Sequence, residues 1–497
     1  PKPSSAASDV YKRQVYGGFM KAVALALSLL SLNAWAISKE DIGALNELFI
    51  KTIEKNEKRA HTGVAVSVFT ANEIIMQKGY GFADAQKETP VTNRTAFAIG
   101  STTKAFTSLG LKLLENEGHL KLTDKVSEHL IDFQLANQKI SEQVTIEDLL
   151  SHRIGLPRHD FAWYLTDFTQ DDLYSRLKYY NFPDGAEEKF RKTFEYNNLM
   201  YMVAGKVIEE SSGKSWPDYI QQAVLNPLEM KDTSFGKAKS GLDVATPYLH
   251  DKAIAYKEIS NIASAGNMYS TTTDMTKWIQ SFLQKKWKGI DDLTNARIAL
   301  DNENPDLKYG YALGWMTNTM NPKASWIFHG GNIDGFSAMV LFSYELNVGI
   351  VVLVNDNGSD LNDLLVTDLL RYELSRKPVD KDFNSIKKRF LFPKLDQSNL
   401  ASLSLNTKSE KVMDEVTLFE NPGYGVLKTF SKDGKDYLAY FKNVWEIKEM
   451  VDDTFNYSLP LEIAGQIYEY PMLIEQGKIS IPFQPGTPLV EFSLTKE

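Results

Sequence analysis

Apolar and polar residues alternate in two well-separated stretches of the chain, and each stretch contains a turn signal. The first covers residues 64–76 and is followed by Gly79 and Gly81. The second covers residues 336–354, with a polar turn at its centre. Alternation of this kind is typical of strands that bury one face. We therefore predict two hairpins of a mostly antiparallel sheet, with a chain order that allows its first and last segments to meet.

Between these stretches the apolar spacing changes to that of helices. A helix is predicted to begin near Thr102 and to carry an apolar stripe over residues 109–114, and a second helical run covers residues 200–210. Apolar residues three and four apart form one face of a helix, which suits burial against other elements. We therefore expect a helical half to lie between the two sheet-forming parts, giving an α/β fold.

The last part of the chain has a different pattern. Charged and polar residues dominate residues 376–411, which we interpret as a linker. Two strand-turn-strand signals follow, one around Asp433-Gly434 and one over residues 473–481. Residues 412–497 are therefore predicted to form a small β-barrel or half-barrel.

The most informative chemical pattern is Ser101-Thr102-Thr103-Lys104 at the start of the first predicted helix. Residues three apart share a helix face, so the Lys104 amine can lie beside the Ser101 hydroxyl. The positive end of the helix adds to the effect of the amine, and both favour the form of Ser101 that attacks an acyl carbon. The same spacing also begins at Ser211, Ser234 and Ser385, so it is the setting of the Ser101 copy that makes an enzyme the leading hypothesis.

Two further motifs follow in the chain. Tyr196-Asn197-Asn198 comes just before the second predicted helix, and His329-Gly330-Gly331 comes just before the last predicted hairpin. With Ser101 to Lys104, these motifs resemble those of the serine β-lactamase and penicillin-binding-protein superfamily, specifically the class C-like serine hydrolases. The resemblance covers roughly residues 40 to 375 in the order of that family. We assign residues 37–375 to a domain of this kind.

The resemblance implies a fold and an architecture. It implies a mostly antiparallel sheet flanked by helices, plus a helical subdomain, with a cleft between them. It also implies that residues 412–497 are similar to the lipocalin-like domain of some relatives. Such a domain either borders the mouth of the active site or only stabilises the protein, and fold analogy does not choose between these roles.

The resemblance also implies acyl transfer at Ser101. Lys104 and Tyr196 are expected to form the proton-transfer pair, with Lys104 and His329 as the cations that favour the phenolate of Tyr196. Asn198 is expected to orient Lys104 or the amide of the substrate. A core role for Tyr196, and a structural role for His329 in a glycine turn, are the alternatives. The glycines at 330 and 331 are expected to line the substrate site, and the backbone N–H groups of Ser101 and Asn332 to form the oxyanion hole.

The third motif departs from the Lys-Thr-Gly form that is common in the family. His329 replaces the lysine and Gly330 replaces the threonine, which weakens recognition of a substrate carboxylate. We therefore predict an esterase, or a peptidase or amidase for small or D-amino-acid-containing substrates. A β-lactamase or D-alanyl-D-alanine carboxypeptidase is the alternative, and a catalytically silent ligand-binding module is another.

Composition narrows the classes of partner. The chain has 497 residues, 43% of them hydrophobic, and a net charge of −9, which argues against nucleic acid as a partner. It contains no cysteine, so disulfides and thiolate metal sites are excluded. No metal and no cofactor are predicted, because the sequence shows no clustered ligand spacing. A small-molecule or peptide substrate is expected, and the oligomeric state is left open.

The first residues are predicted to lie outside the folded enzyme. Residues 4–14 look like a translated sequencing adapter, so residues 1–19 are interpreted as an artefact. From Met20 to Ala36 the chain has one lysine, a short apolar run and a small-residue cleavage pattern, which together are typical of a signal peptide. The apolar run is too short to cross a bilayer, so the mature chain is expected to have no transmembrane segment and to be periplasmic or secreted.

Overall fold

The computed structural model describes most of the predicted hydrolase domain and much of the predicted barrel. The described residues are 47, 50–52, 62–249, 252–300, 309–318, 325–357, 417–432, 434–449, 457–463, 466–475, 477–481 and 490–495. The predicted artefact (1–19), signal peptide (20–36) and linker (376–411) lie outside them, and the domain boundaries stay predictions.

The first fifteen strands belong to the predicted hydrolase domain. They are β1 (Val64–Phe69), β2 (Ile74–Tyr80), β3 (Phe82–Asp84), β4 (Thr89–Pro90), β5 (Phe97–Ala98), β6 (Ser234–Phe235), β7 (Tyr248–Leu249), β8 (Lys252–Ala253), β9 (Met268–Ser270), β10 (Ile298–Ala299), β11 (Tyr309–Tyr311), β12 (Met316–Asn318), β13 (Trp326–Ile333), β14 (Phe336–Ser343) and β15 (Val348–Val354). Eight of them form one antiparallel sheet in the order β10-β11-β12-β13-β14-β15-β1-β2. Both predicted hairpins are confirmed, and β1 pairs with β15, so the first and last sheet segments meet.

The helices fill the chain between the two ends of this sheet. They are α1 (Thr103–Glu117), α2 (Val126–His129), α3 (Gln138–Ser141), α4 (Ile146–Leu150), α5 (Phe161–Tyr164), α6 (Gln170–Arg176), α7 (Ala186–Lys189), α8 (Asn198–Ser212), α9 (Trp216–Ile220), α10 (Ala263–Gly266), α11 (Thr272–Leu283) and α12 (Ile290–Thr294). Short 3₁₀ turns cover Gly100–Thr102, Leu177–Tyr179 and Ser260–Ile262, and a π-helical turn covers Gln221–Leu225.

The core lies where helices cover the central strands. Every residue of β1, β14 and β15 is buried, as expected for strands with both faces covered. Phe282 of α11 packs 5.4 Å from Phe342 of β14, and Phe106 of α1 stacks 3.9 Å from Trp278 of α11. Since α1 carries the predicted nucleophile turn at its start, this packing fixes the site against the sheet.

The C-terminal strands form a second sheet. They are β16 (Thr417–Asn421), β17 (Gly425–Lys432), β18 (Lys435–Tyr440), β19 (Asn443–Glu446), β20 (Lys448–Glu449), β21 (Tyr457–Ile463), β22 (Gln466–Glu475), β23 (Lys478–Ile481) and β24 (Val490–Leu494). Their order is β19-β18-β17-β16-β24-β23-β22-β21-β20. The two outermost strands, β19 and β20, are separated in sequence by Ile447 alone, so the sheet curls into a nearly closed barrel. The predicted all-β domain is confirmed.

The structure also bears on membrane association. Within the described ranges, no helix combines the length and the apolar character needed to cross a bilayer.

Candidate active site

Ser101 lies in the 3₁₀ turn that leads directly into α1. Its side chain is half-buried, whereas Asn332 on the neighbouring β13 is exposed. Ser101 is therefore partly accessible at the start of α1, whereas residues 103–112 of that helix are buried.

The turn and β13 touch through two glycines. A Cβ added to Gly331 would lie 2.0 Å from the Ile99 carbonyl oxygen and 3.1 Å from the Ser101 nitrogen. A Cβ added to Gly100, whose φ is +49°, would lie 3.0 Å from the Asn332 nitrogen. Only residues without side chains allow two backbones to approach this closely. The two N–H groups predicted for the oxyanion hole therefore belong to segments in direct contact.

Lys104 lies one helical turn after Ser101, as the motif predicts. Its side chain is 0% exposed, and its Nζ is 3.2 Å from the Ser101 Oγ. The Nζ also contacts the Asn198 Oδ1 at 2.7 Å and the Ala265 carbonyl oxygen at 2.8 Å. The amine is thus held by α8 and α10 and directed at the nucleophile.

The electrostatic surroundings disfavour a charge on this amine. Burial is the main cause that holds the pKa of Lys104 well below its usual value, and the nearby Arg158 charge acts in the same direction. Asp160 acts in the opposite direction. Because burial favours the neutral form of an amine, Lys104 is suited to accept a proton. This differs from the expectation that Lys104 is a cation beside Tyr196.

Tyr196 and Asn198 both lie next to the amine of Lys104. The Lys104 Nζ is 4.7 Å from the centre of the Tyr196 ring. Asn198 accepts a hydrogen bond from Lys104 and donates one from its Nδ2 to the Asp160 Oδ1, at 3.1 Å. Of its two predicted partners, Asn198 therefore contacts the lysine in this structure, and the carboxylate of Asp160 fixes which way its amide points.

His329 is present in the site but carries no charge. Its Nδ1 donates to the Gly330 carbonyl oxygen at 2.6 Å, which leaves the Nε2 to accept from the Tyr311 hydroxyl at 3.0 Å. Burial is the main cause that lowers the pKa of His329 to about 3. The expectation that His329 is one of the cations beside Tyr196 is therefore wrong, because the ring is buried and both of its nitrogens have partners. The ring lies 6.5 Å from that of Tyr196.

Three residues next to this group had not been predicted as part of the site. The Cζ of Arg158 is 4.9 Å from the centre of the Tyr196 ring, and its Nε donates to the Asp160 Oδ2 at 2.6 Å. The ring of His152 packs 4.2 Å from that of Tyr196. The sequence signal for Arg158 and Asp160 was a polar triplet at residues 158–160 in a largely apolar loop. The residues that this triplet contacts are distant in sequence, so the signal did not assign it to the site.

The structure brings together all the predicted site residues, from the Ser101 turn, α1, the start of α8 and β13. His159 is buried and faces the barrel, and the Tyr424 hydroxyl donates to its Nδ1 at 2.5 Å. No group of side chains suited to hold a metal ion occurs among the residues the structure describes.

Comparison with known proteins finds relatives whose sequences align with about 70% of this chain. The Protein flp of Staphylococcus aureus strain N315 is 29% identical over 372 residues, covering 72% of this chain and 71% of that protein. The unguisins hydrolase ungD' of Aspergillus campestris is 31% identical over 378 residues, covering 70% of this chain and 69% of its own.

A solved structure shows the same fold. It is that of the octameric penicillin-binding protein homologue from Pyrococcus abyssi, which has a TM-score of 0.60 at 19% identity and covers 91% of this chain and 100% of its own. The family model described as Beta-lactamase matches residues 49–372. Since that match spans more than half of the chain and includes every residue of the candidate site, this chain belongs to the Beta-lactamase family.

Proposed function

We propose that the chain is an exported serine hydrolase that forms an acyl-enzyme on Ser101. We further propose that it is an esterase, or a peptidase or amidase acting on small or D-amino-acid-containing substrates. Members of the Beta-lactamase family are generally serine hydrolases. The Aspergillus relative is itself named as a hydrolase. The observation that carries the proposal is the set of partners around the Lys104 Nζ.

A neutral amine has two N–H donors and one lone pair. At Lys104 these two N–H groups can donate to the Asn198 Oδ1 and to the Ala265 carbonyl oxygen. Both oxygens can only accept a hydrogen bond. The lone pair then faces the Ser101 Oγ at 3.2 Å. This arrangement supports Lys104 as the general base that takes the hydroxyl proton of Ser101 during attack.

The remaining steps use the groups around this pair. As the Ser101 Oγ bonds to the substrate carbonyl carbon, negative charge develops on the carbonyl oxygen, and we expect the N–H groups of Ser101 and Asn332 to donate hydrogen bonds to it. The proton held by Lys104 passes to the leaving alcohol or amine as its bond to carbon breaks, with Tyr196 as the partner in proton transfer. Water then attacks the acyl-serine and releases the acid.

The third motif supports the preference for esters and amides over β-lactams. Gly330 presents no side chain, and His329 is an uncharged ring whose nitrogens are engaged within the protein. These two positions therefore offer a substrate carboxylate neither a cation nor a hydroxyl. A β-lactamase or D-alanyl-D-alanine carboxypeptidase is the second candidate, since Ser101, Lys104 and Tyr196 serve those reactions equally well.

The test is a pre-steady-state measurement of nitrophenol release from an activated ester, with the protein and its Ser101→Ala variant. We expect a burst stoichiometric with the protein that is absent in the variant. Turnover of the ester, a D-amino-acid amide and a penicillin is then compared, and the ester is expected to exceed the penicillin.

Two results would contradict different parts of the proposal, the substrate preference and the acyl-enzyme on Ser101. Faster turnover of penicillin than of ester would remove the substrate preference while leaving the acyl-enzyme. The absence of both burst and turnover would favour a silent binding module. Export is supported by the leader-like residues 20–36 alone, and recovery of exported protein that still begins at Met20 would contradict it.

A further inference from the structure

A charged pair next to the catalytic group belongs to none of the three motifs. Arg158 lies with its Cζ 4.9 Å from the Tyr196 ring centre, on a segment that precedes α5. Asp160 holds the guanidinium through the 2.6 Å bond to its Nε. The same carboxylate accepts from the Asn198 Nδ2 at 3.1 Å and from the Trp163 Nε1 at 2.6 Å. The pair is therefore tied to the residue that orients Lys104.

The groups that face Lys104 come from several parts of the chain. Those that titrate or carry charge are Arg158 and Asp160 before α5, Tyr196 before α8, Tyr201 within α8, His152 after α4 and His329 on β13. Burial lowers the pKa of both histidines, to well below the usual value for His152 and to about 3 for His329. At neutral pH the two histidines therefore add no positive charge beside Lys104, whereas the guanidinium of Arg158 does.

The backbone explains how both charges reach the site. His159 has a φ of +49°, a left-handed conformation that a residue with a side chain adopts only under constraint. It directs its own ring to Tyr424 in the barrel, at 2.5 Å, while Arg158 and Asp160 on either side bond to each other beside Tyr196.

We propose that Arg158, held by Asp160, is a positioning residue that supplies beside Lys104 and Tyr196 the positive charge that the third motif lacks, and so keeps Lys104 a free amine. The proposal rests on the proposed function, because it concerns the base of that reaction. A fixed cation near an amine disfavours its protonation, so Lys104 stays ready to accept the Ser101 proton. A guanidinium suits this role because it remains charged throughout the working range of pH.

The experiment measures the pH dependence of Ser101 labelling by an uncharged fluorophosphonate. In that reaction the Ser101 Oγ bonds to phosphorus, fluoride leaves with the electrons of the P–F bond, and the Ser101 proton passes to Lys104. The labelling rate constant is followed by intact mass from pH 4 to 9 for the full chain. Variants are Arg158→Gln, Arg158→Lys and Asp160→Asn, with Arg94→Gln as a matched control. Arg94 is an exposed arginine in an ion pair with Asp232.

The acid limb of the profile is the range in which the labelling rate constant falls as the pH is lowered. The variants at positions 158 and 160 are expected to shift this limb in opposite directions. Removing the cation in Arg158→Gln is expected to move the acid limb to higher pH by about one unit, a loss of about tenfold at a fixed pH on that limb. Arg158→Lys keeps the charge and is expected to restore the limb. Asp160→Asn keeps an amide oxygen that can accept from the Arg158 Nε and removes the opposing charge, so it is expected to move the limb to lower pH. Arg94→Gln is expected to leave it in place.

The possible failures are distinguishable. An unlabelled wild-type protein, or equal labelling of Ser101→Ala, would overturn the proposed function and this inference with it. Labelling of wild type at Ser101 with the limb unmoved in Arg158→Gln would overturn the inference alone. So would a rate lowered equally at every pH in both Arg158 variants, because a merely structural role produces that pattern.

Discussion

Gly330 and Gly331 are neighbours on β13, yet an added methyl group would meet very different surroundings at the two positions. At Gly331 it would lie 2.0 Å from the Ile99 carbonyl oxygen, which is backbone of the Ser101 turn. At Gly330 it would first meet the Met339 Cε, at 3.3 Å, which is the far end of a flexible side chain. The two glycines therefore form a matched pair for testing how closely β13 must approach the nucleophile.

Gly331→Ala is expected to slow acylation of Ser101 by about 100-fold, because displacing β13 from the turn separates the two oxyanion donors. It is also expected to lower the free energy of unfolding by about 1–3 kcal/mol through overpacking. Gly330→Ala is the comparison for packing: its added methyl group meets a flexible side chain, so the free energy of unfolding should change little and the acylation rate should fall less than in Gly331→Ala. Single-turnover kinetics and urea denaturation measure them. Similar acylation rates in the two variants would mean that the close approach is not required.

At the scale of single residues, a contact could be predicted from the sequence only where its two residues are close together along the chain. Ser101 and Lys104 are one helical turn apart, so local geometry alone places them together. The contact of Arg158 with Tyr196 joins residues 38 positions apart and depends on how the helical half folds. The state of His329 depends on burial, which a motif does not contain.

Among the larger elements, the barrel packs against one particular part of the helical half. We call residues 158–181 the barrel-facing segment. Its residue Arg176 donates to the Pro422 carbonyl oxygen at 2.5 Å, and its Leu165 carbonyl oxygen accepts from Asn443 at 3.0 Å. Tyr424 reaches His159 from the turn between β16 and β17. The barrel thus contacts the segment that carries Arg158 and Asp160.

Tyr424→Phe is expected to loosen this contact. It removes the donor to a buried ring nitrogen of His159, which costs about 1–3 kcal/mol of unfolding free energy. We expect faster hydrogen exchange in the barrel-facing segment and a lower acylation rate. Tyr437→Phe removes the same atom from a half-buried position on β18 and is the control. Unchanged exchange and acylation in Tyr424→Phe would show that the barrel does not support the site through this bond.

Helices and strands could be predicted where they are long enough to show a periodic pattern of apolar residues. The hairpins β1-β2 and β14-β15 follow from alternation, and the helices α1 and α8 follow from their apolar spacing. Helices such as α5 and α7 have four residues each, which is about one turn and too short to show a period. Closure of the barrel depends on β19 and β20 meeting at Ile447, a feature that repeated hairpin signals do not specify.

Over the whole molecule, buried histidines link stability to pH. Three of them, His152, His159 and His329, are at most 3% exposed. Burial lowers the pKa of His159 to about 4 and that of His329 to about 3, and holds that of His152 well below its usual value. In the unfolded chain histidine titrates near 6.5. At a pH between the folded and the unfolded pKa values, the unfolded state binds more protons than the folded state, so lowering the pH favours unfolding.

The free energy of unfolding is therefore expected to fall as the pH is lowered from about 6.5 towards 4, by up to about 1.4 kcal/mol per pH unit for each buried histidine. Urea denaturation at a series of pH values measures this slope. His159→Gln should reduce the slope, and His119→Gln, at an exposed site, serves as the control. A slope that is the same in wild type and His159→Gln would contradict the assignment.

The contact between the barrel and the barrel-facing segment also constrains how the gene can change. His159, which contacts the barrel, lies between Arg158 and Asp160, which contact the candidate site. Recombination that replaced the C-terminal domain would remove the partner of His159 and alter the backbone between two charges beside Lys104. The two halves of the coding sequence should therefore be inherited together, with compensating substitutions at positions 159 and 424.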